Sequence, residues 1–206
     1  MEKLITAIDL KKEFNRRVIF QRISFSLAVG ETLLITGKNG SGKSTLMKVI
    51  AHVLTPTHGT FIFGGDTSEG SYPHSRLGFV SPYLNLYDEL SARENLIFAL
   101  SIRGLDHQRF PIDELLDRTG LARFKNSPLR VFSSGMKQRL KYAFALIHNP
   151  SILLLDEPMS NLDSEGKDLV RQLMAAQSER GALIIATNDA NEVEEYTTMV
   201  NLDVRV

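Results

Sequence analysis

The sequence predicts an α/β fold built on a parallel sheet, and three observations carry that expectation. Three short, continuous apolar runs, Thr32 to Thr36, Ile152 to Leu155 and Ala182 to Ala186, are bounded by polar or turn residues, as strands covered on both faces are. Stretches with helical spacing lie between the later runs, and such alternation implies parallel strands joined by right-handed crossovers. A glycine-rich segment, GKNGSGKST from Gly37 to Thr45, joins the first run to a further helical stretch.

Taken in order, Val18 to Val29 alternates Ile23, Phe25, Leu27 and Val29 against polar neighbours, the period of a half-buried strand. Thr32 to Thr36 follows, then the glycine-rich segment and a helix from Leu46 to Ala51. Gly59 to Phe63 reads as another strand closed by Gly64-Gly65-Asp66, so the first third is expected to hold antiparallel β-structure around the loop at Gly37. Ser91 with Glu94 three residues later is a capping box opening a helix that Gly104 closes. A helix is expected from about Asp113 to Gly120. After Ser134, Met136, Leu140, Ala143, Phe144 and Ile147 share one helical face, and Pro150 stops the run. A last helix runs from about Ser164 to Arg180 and ends at Gly181. Internal repeats, low-complexity tracts and interdomain linkers are not evident.

Length and composition narrow the function classes. At 206 residues the chain can bury one sizeable core, and 24 Lys plus Arg against 24 Asp plus Glu leave no global field to hold nucleic acid or an anionic membrane; no nucleic-acid partner is expected. Cysteine is absent, which removes disulfides and thiolate metal sites and fits a reducing compartment. The five histidines, His52, His58, His74, His107 and His148, lack metal-ligand spacing and are expected on the surface or in packing. No signal peptide is evident at Met1, and no apolar run approaches the roughly 20 residues that span a bilayer, so any membrane-spanning part is expected in another chain.

Two segments carry chemistry. Glycines in GKNGSGKST permit backbone angles that side chains forbid, so the N–H groups of Gly37, Lys38, Asn39, Gly40, Ser41, Gly42, Lys43, Ser44 and Thr45 can wrap an anion. Lys43 reaches β- and γ-phosphates in such a loop, Ser44 can ligate Mg²⁺, and the following helix N-terminus adds a favourable dipole. In SILLLDEP, from Ser151 to Pro158, an apolar strand ends in two acids at the carboxyl edge of the sheet, where ligands bind in open α/β folds. Alone they would read as a solvated strand end; beside the loop, Asp156 is expected to hold Mg²⁺ and Glu157 to polarise the attacking water.

The order GKNGSGKST, FSSGMKQ (Phe132 to Gln138), ILLLDEP and SNLD (Ser160 to Asp163) resembles the ATP-binding cassette (ABC) ATPase family over nearly the whole chain. The resemblance implies a P-loop NTPase, RecA-like parallel sheet with an N-terminal antiparallel β-subdomain, about residues 1–82 and 141–206, and a helical subdomain, about 83–140. It implies hydrolysis of Mg-ATP to ADP and phosphate. Two copies would face each other head to tail, with Ser133, Ser134, Gly135 and Met136 serving the partner's ATP and Asp163 communicating across the interface. Phe14 stands where the family stacks an aromatic ring on adenine, or it is a core phenylalanine. A separate transmembrane permease would complete a transporter, with this chain peripheral on the cytoplasmic face of the membrane.

The sequence departs from the family pattern in three places. FSSGM stands for the usual LSGGQ, keeping a hydroxyl and exposed amides at a helix start. Pro82 stands where a glutamine contacts Mg²⁺ and the membrane partner, leaving Ser81, Tyr83 or Asn85 as nearby substitutes. Asn188, after the strand ALIIAT, replaces a histidine that contacts the γ-phosphate; an amide donates a hydrogen bond but carries no imidazolium charge, so slow hydrolysis is expected, with ordinary turnover as the alternative. Other readings are a chromosome-maintenance cassette, which would need a long coiled-coil insertion; a translation-type cassette, which would join two cassettes with basic linkers; a low-turnover regulatory cassette; and a nucleotide-phosphorylating P-loop kinase, which leaves FSSGMKQ and SNLD without a role. The short span after Asn188 is similar in length to haem-exporter ATPases of cytochrome c maturation and to small generic exporters. Cargo and direction would be chosen by the membrane partner.

Overall fold

The computed structural model describes residues 2–64, 75–193 and 195–203. The turn expected at Gly65-Asp66, and His74, lie outside these residues.

Five strands form the parallel sheet: β3 (Thr32–Thr36), β5 (Leu77–Val80), β6 (Ile152–Asp156), β7 (Ala182–Ala186) and β8 (Thr198–Asn201), in the order β5-β6-β7-β3-β8. The three continuous apolar runs become its three inner strands, and every residue of β6 and β7 is buried. Their alternate residues feed two cores. Leu34, Leu153, Leu155, Leu183 and Ile185 face α2 (Ala92–Ser101), α3 (Ile112–Arg118), α4 (Ser134–Leu146) and α5 (Ser164–Ser178). Leu33, Ile35, Ile152, Leu154, Ala182 and Ile184 face α1 (Lys43–Ile50) and a second, antiparallel sheet. Burial on both faces is why these strands lack polar alternation.

The antiparallel sheet has the order β2-β1-β4, from β1 (Lys3–Phe14), β2 (Arg17–Ala28) and β4 (His58–Phe63). Sequence reading did not single out β1, for two local reasons. Its buried side chains fall at Ile5, Ala7 and Leu10, because a register shift around Asp9, itself at φ 48°, moves the alternation by one residue. The β1–β2 turn uses Asn15 and Arg16 at φ 49° and 65°, a type I′ geometry without the glycine that usually announces it. Val29, expected on the buried face of β2, is exposed, since the strand stops at Ala28 and the chain turns at Gly30. β8 was also unannounced: it is four residues long and half-buried at the sheet edge.

The helices keep close to their expected bounds. α1 begins at Lys43, three residues before the expected start, so the phosphate-loop lysine belongs to its first turn. Ser91 and Glu94 form the full capping box on α2. Gly104 and Gly120, at φ 68° and 67°, supply the left-handed turns after α2 and α3. α4 buries more than the one expected face: Gln138, Tyr142 and Ala145 are buried together with Leu140 and Ala143. It packs on β5 on one side and on α2 and α3 on the other, running without a break through residue 140. Among the described residues no helix is long and apolar enough to cross a membrane.

Candidate functional site

The loop Gly37 to Thr45 leaves the carboxyl end of β3 and enters α1. Gly37, Gly40 and Gly42 take φ of 146°, 82° and 108°, the left-handed region that disfavours side chains. A Cβ at Gly37 would lie 2.5 Å from Ser41 Oγ, one at Gly42 2.6 Å from Ile19 Cγ2, and one at Gly40 would meet nothing within 4 Å. Gly37 and Gly42 are therefore required by the loop's own packing, while Gly40 keeps an open approach to its backbone. The starts of α2, α4 and α5 are each capped by a side chain, from Ser91, Ser133 and Asp163, whereas those of α1 and α3 are not, and α1 alone of these two follows a glycine-rich loop. Uncapped amides at a helix start are the groups that bind phosphate.

Lys43 is 6% exposed, and its ammonium donates to the carbonyls of Gly37 at 2.7 Å and Lys38 at 3.4 Å. It lies 3.6 Å from Glu157 Oε1. The sheet thus brings together two residues 114 positions apart in the chain (157 minus 43), as the sequence reading required. Lys38 and Asn39 are exposed, and Ser44 and Thr45 half-buried.

Asp156 ends β6 with only 1% of its surface exposed, and neither carboxylate oxygen accepts a hydrogen bond of ordinary geometry. Burial raises its pKa, while the neighbouring Ser44 hydroxyl, Lys43 and Lys48 lower it. A buried carboxylate beside a hydroxyl, with its lone pairs free, suits Mg²⁺, which takes one or two protein oxygens and completes its shell with phosphates and water. Among the described residues no cluster of three His, Cys, Asp or Glu could hold a metal ion. The four described histidines lie on the surface or in packing: His52 packs on Phe61 and Phe63, His58 pairs with Asp9 at the surface, His107 lies in a surface turn, and His148 is buried on the Leu77 carbonyl.

Glu157 sits at φ 51°, a strained position for a side-chain-bearing residue. Its N–H donates to Ala186 O at 2.8 Å, and its carbonyl accepts from Ser160 Oγ at 2.6 Å. Burial raises the carboxyl's pKa, and the Lys43 ammonium and the Asn188 backbone N–H oppose that rise. A carboxylate held near a cation but partly desolvated is suited to accept a proton or orient water. Asn188 is exposed, and Thr187 before it is buried with its hydroxyl on Glu192 at 2.9 Å.

Phe14 is 44% exposed with the Lys12 ammonium 4.8 Å from its ring centre, so the core alternative is not realised. The same hairpin carries Ile19 against Gly42, which sets it beside the phosphate loop. Ser133 accepts from the Met136 N–H at 3.2 Å, Ser134 is exposed, and a Cβ on Gly135 would meet nothing within 4 Å. Met136 is half-buried against the helical core. Asp163 caps α5 through the Gly166 N–H at 2.8 Å. Among the described residues no hydrogen bond or ion pair joins residues 133–136 to residues 37–45. In the 81–85 turn, Ser81 is buried and committed to local bonds, its hydroxyl accepting from the Tyr83 N–H at 3.2 Å. Tyr83 is exposed with the Lys48 ammonium 4.8 Å from its ring.

Sequence reasoning missed Asp203, whose carboxylate accepts from the Lys38 N–H at 2.9 Å and braces the loop, and Tyr142, whose hydroxyl donates to Pro158 O at 2.7 Å. The first partner is 165 residues away, so no local pattern could show it.

Comparison with known proteins agrees with this geometry. The profile of the ABC transporter family matches residues 20–160. The lantibiotic transport ATP-binding protein SrtF of Streptococcus pyogenes is 33% identical over 194 residues, covering 93% of this chain and 83% of the relative. The cytochrome c biogenesis ATP-binding export protein CcmA of Rhizobium johnstonii is 36% identical over 188 residues, covering 88% and 86%. A solved structure of an ATP-binding subunit of an ABC transporter superposes with a TM-score of 0.84 at 27% identity, covering 96% of this chain and 85% of the other. With a glycine-bent phosphate loop beside the Asp156–Glu157 strand end and these relatives over nearly its full length, the chain belongs to the ABC transporter family, as an ATP-binding and ATP-hydrolysing subunit.

Proposed function

We propose that two copies of this chain sandwich two Mg-ATP molecules head to tail and drive a separate transmembrane permease from the cytoplasmic face of the membrane. The observation that carries the reading is the convergence of Lys43, Asp156 and Glu157 at the carboxyl edge of β3 and β6, with Asp156 buried beside Ser44 and outside any hydrogen bond of ordinary geometry. Phe14 would stack on adenine, and the amides of residues 37–45 would hold the phosphates. Ser44 and Asp156 would hold Mg²⁺, which supplies charge neutralisation at the β- and γ-oxygens when bound. Lys43 would turn from the loop carbonyls to the same oxygens. Glu157 would accept a hydrogen bond from the attacking water and orient it in line with the γ-phosphorus, giving ADP and phosphate. The phosphate side of Asn188 would be served by its amide.

Ser133 and Ser134 are exposed and a Cβ on Gly135 would meet nothing within 4 Å, which fits service to a second copy, in which Met136 and Asp163 would also take part. Residues about 83–140, carrying exposed Tyr87, Ile102 and Val131, would form the lobe that meets the permease. Cargo would lie with that partner, since relatives of similar identity serve lantibiotic transport in one case and cytochrome c biogenesis in another.

The test uses the full chain. Lys43→Ala is expected to weaken ATP binding at least tenfold by calorimetry, and unchanged affinity overturns the reading. Glu157→Gln should keep affinity, lose about a hundredfold in turnover and double the mass in light scattering when Mg-ATP is added; a monomer at saturating ATP removes the sandwich.

A further inference from the structure

α4 carries two adjacent side chains that each grip a loop of the site. The Tyr142 hydroxyl donates to Pro158 O at 2.7 Å, one residue after Glu157, and the ring is fully buried. The Lys141 ammonium donates to Pro82 O at 3.1 Å and Ser81 O at 3.4 Å, in the turn that leaves β5. β5 and β6 are neighbours in the sheet, so the two loops leave adjacent strand ends, and consecutive residues of one helix diverge enough to reach both. The shorter Lys141 contact and the Tyr142 contact both end on prolines, which lack an N–H, so the carbonyl is the one backbone group of each that a side chain can hold.

We propose that Lys141 and Tyr142 are positioning residues for hydrolysis, a two-pronged tether by which α4 sets the Glu157 turn and the Ser81–Pro82 turn together. The proposal rests on the reading of Glu157 as the base. Glu157 is held at φ 51°, and a strained residue persists only where its surroundings over-determine it. Tyr142 supplies one of those constraints beside the bonds to Ala186 and Ser160. Burial raises the Tyr142 pKa, so its hydroxyl stays a donor over the working range. Because α4 also begins at Ser133 and Ser134, anything that moves its first turn moves the catalytic turn with it.

Steady-state ATP hydrolysis by the full chain tests this. Tyr142→Phe, which removes one oxygen, is expected to lower kcat about tenfold while KM for ATP stays within about twofold, since misplacement affects the reacting geometry more than binding. In a Glu157→Gln background the same change should alter the residual single-turnover rate by less than about twofold, because its partner in the effect is gone. Lys141→Met should lower kcat and Lys141→Arg restore most of it. An unchanged kcat in Tyr142→Phe, or an equal loss in the Glu157→Gln background, overturns the tether. If Tyr142→Phe does not fold, unchanged kcat in Lys141→Met overturns it. A wild type without turnover overturns the functional reading and the tether together, whereas wild-type turnover with an unaffected Tyr142→Phe overturns the tether alone.

Discussion

At the scale of single residues, the site is a balance between burial and charge. Burial pushes both Asp156 and Glu157 up; the Ser44 hydroxyl and then Lys43 oppose the rise at Asp156, and Lys43 and then the Asn188 N–H oppose it at Glu157. Asn188 touches this balance through its backbone N–H on Glu157, and its side chain is exposed. An imidazole there could donate to the γ-phosphate with charge, a gain of about 1.4 kcal/mol, or about tenfold in rate. Asn188→His is therefore expected to raise kcat toward tenfold in a phosphate-release assay, and a wild type as fast as the variant ends the idea of slow turnover.

At the scale of elements, local rules hold where a local group satisfies them. The Ser91 hydroxyl accepts from the Glu94 N–H at 3.2 Å, and the Glu94 carboxylate returns the bond to the Ser91 N–H at 2.8 Å. Ser91→Ala should cost about 1 kcal/mol, read as a lower midpoint in urea unfolding with an unchanged slope. α1 lacks such a cap, as α3 does, and in α1 the glycine loop precedes the uncapped amides. β1 shows how an element escapes a pattern. A bulge at Asp9 and a turn at Asn15-Arg16 without glycine erase both the alternation and the hairpin signature, although the strand pairs along its length.

At the scale of the whole molecule, α4 joins the two halves of the fold, and its carboxyl end leads into a buried titratable group. The His148 Nε2–H donates to Leu77 O at 3.0 Å, and burial, with the Arg103 charge beside it, lowers its pKa from 6.5 to about 4. A base depressed in the folded state binds fewer protons there than when unfolded, so stability is full above about 6.5 and falls as pH drops toward about 4. The contribution approaches about 1.4 kcal/mol per pH unit within that window. Thermal unfolding at pH 7 and pH 5 should show a larger loss in the wild type than in His148→Gln; equal losses would remove His148 as the cause.

The sequence by itself determined the parallel core, the four longer helices, the phosphate loop and the acids at the end of β6, because each is written in contiguous residues whose period, glycines or caps act within a few positions. Lys43 meeting Glu157 was legible because both motifs announce the same edge of the same kind of sheet. Tertiary structure alone decided that Asp203 braces Lys38, that Ile19 closes on Gly42 and that Tyr142 holds Pro158. In the first two the partners are far apart in the chain, and in the third the tyrosine reads as one more helix residue until β5 and the helical lobe enclose it from both sides. Such contacts follow from packing, which no local pattern records.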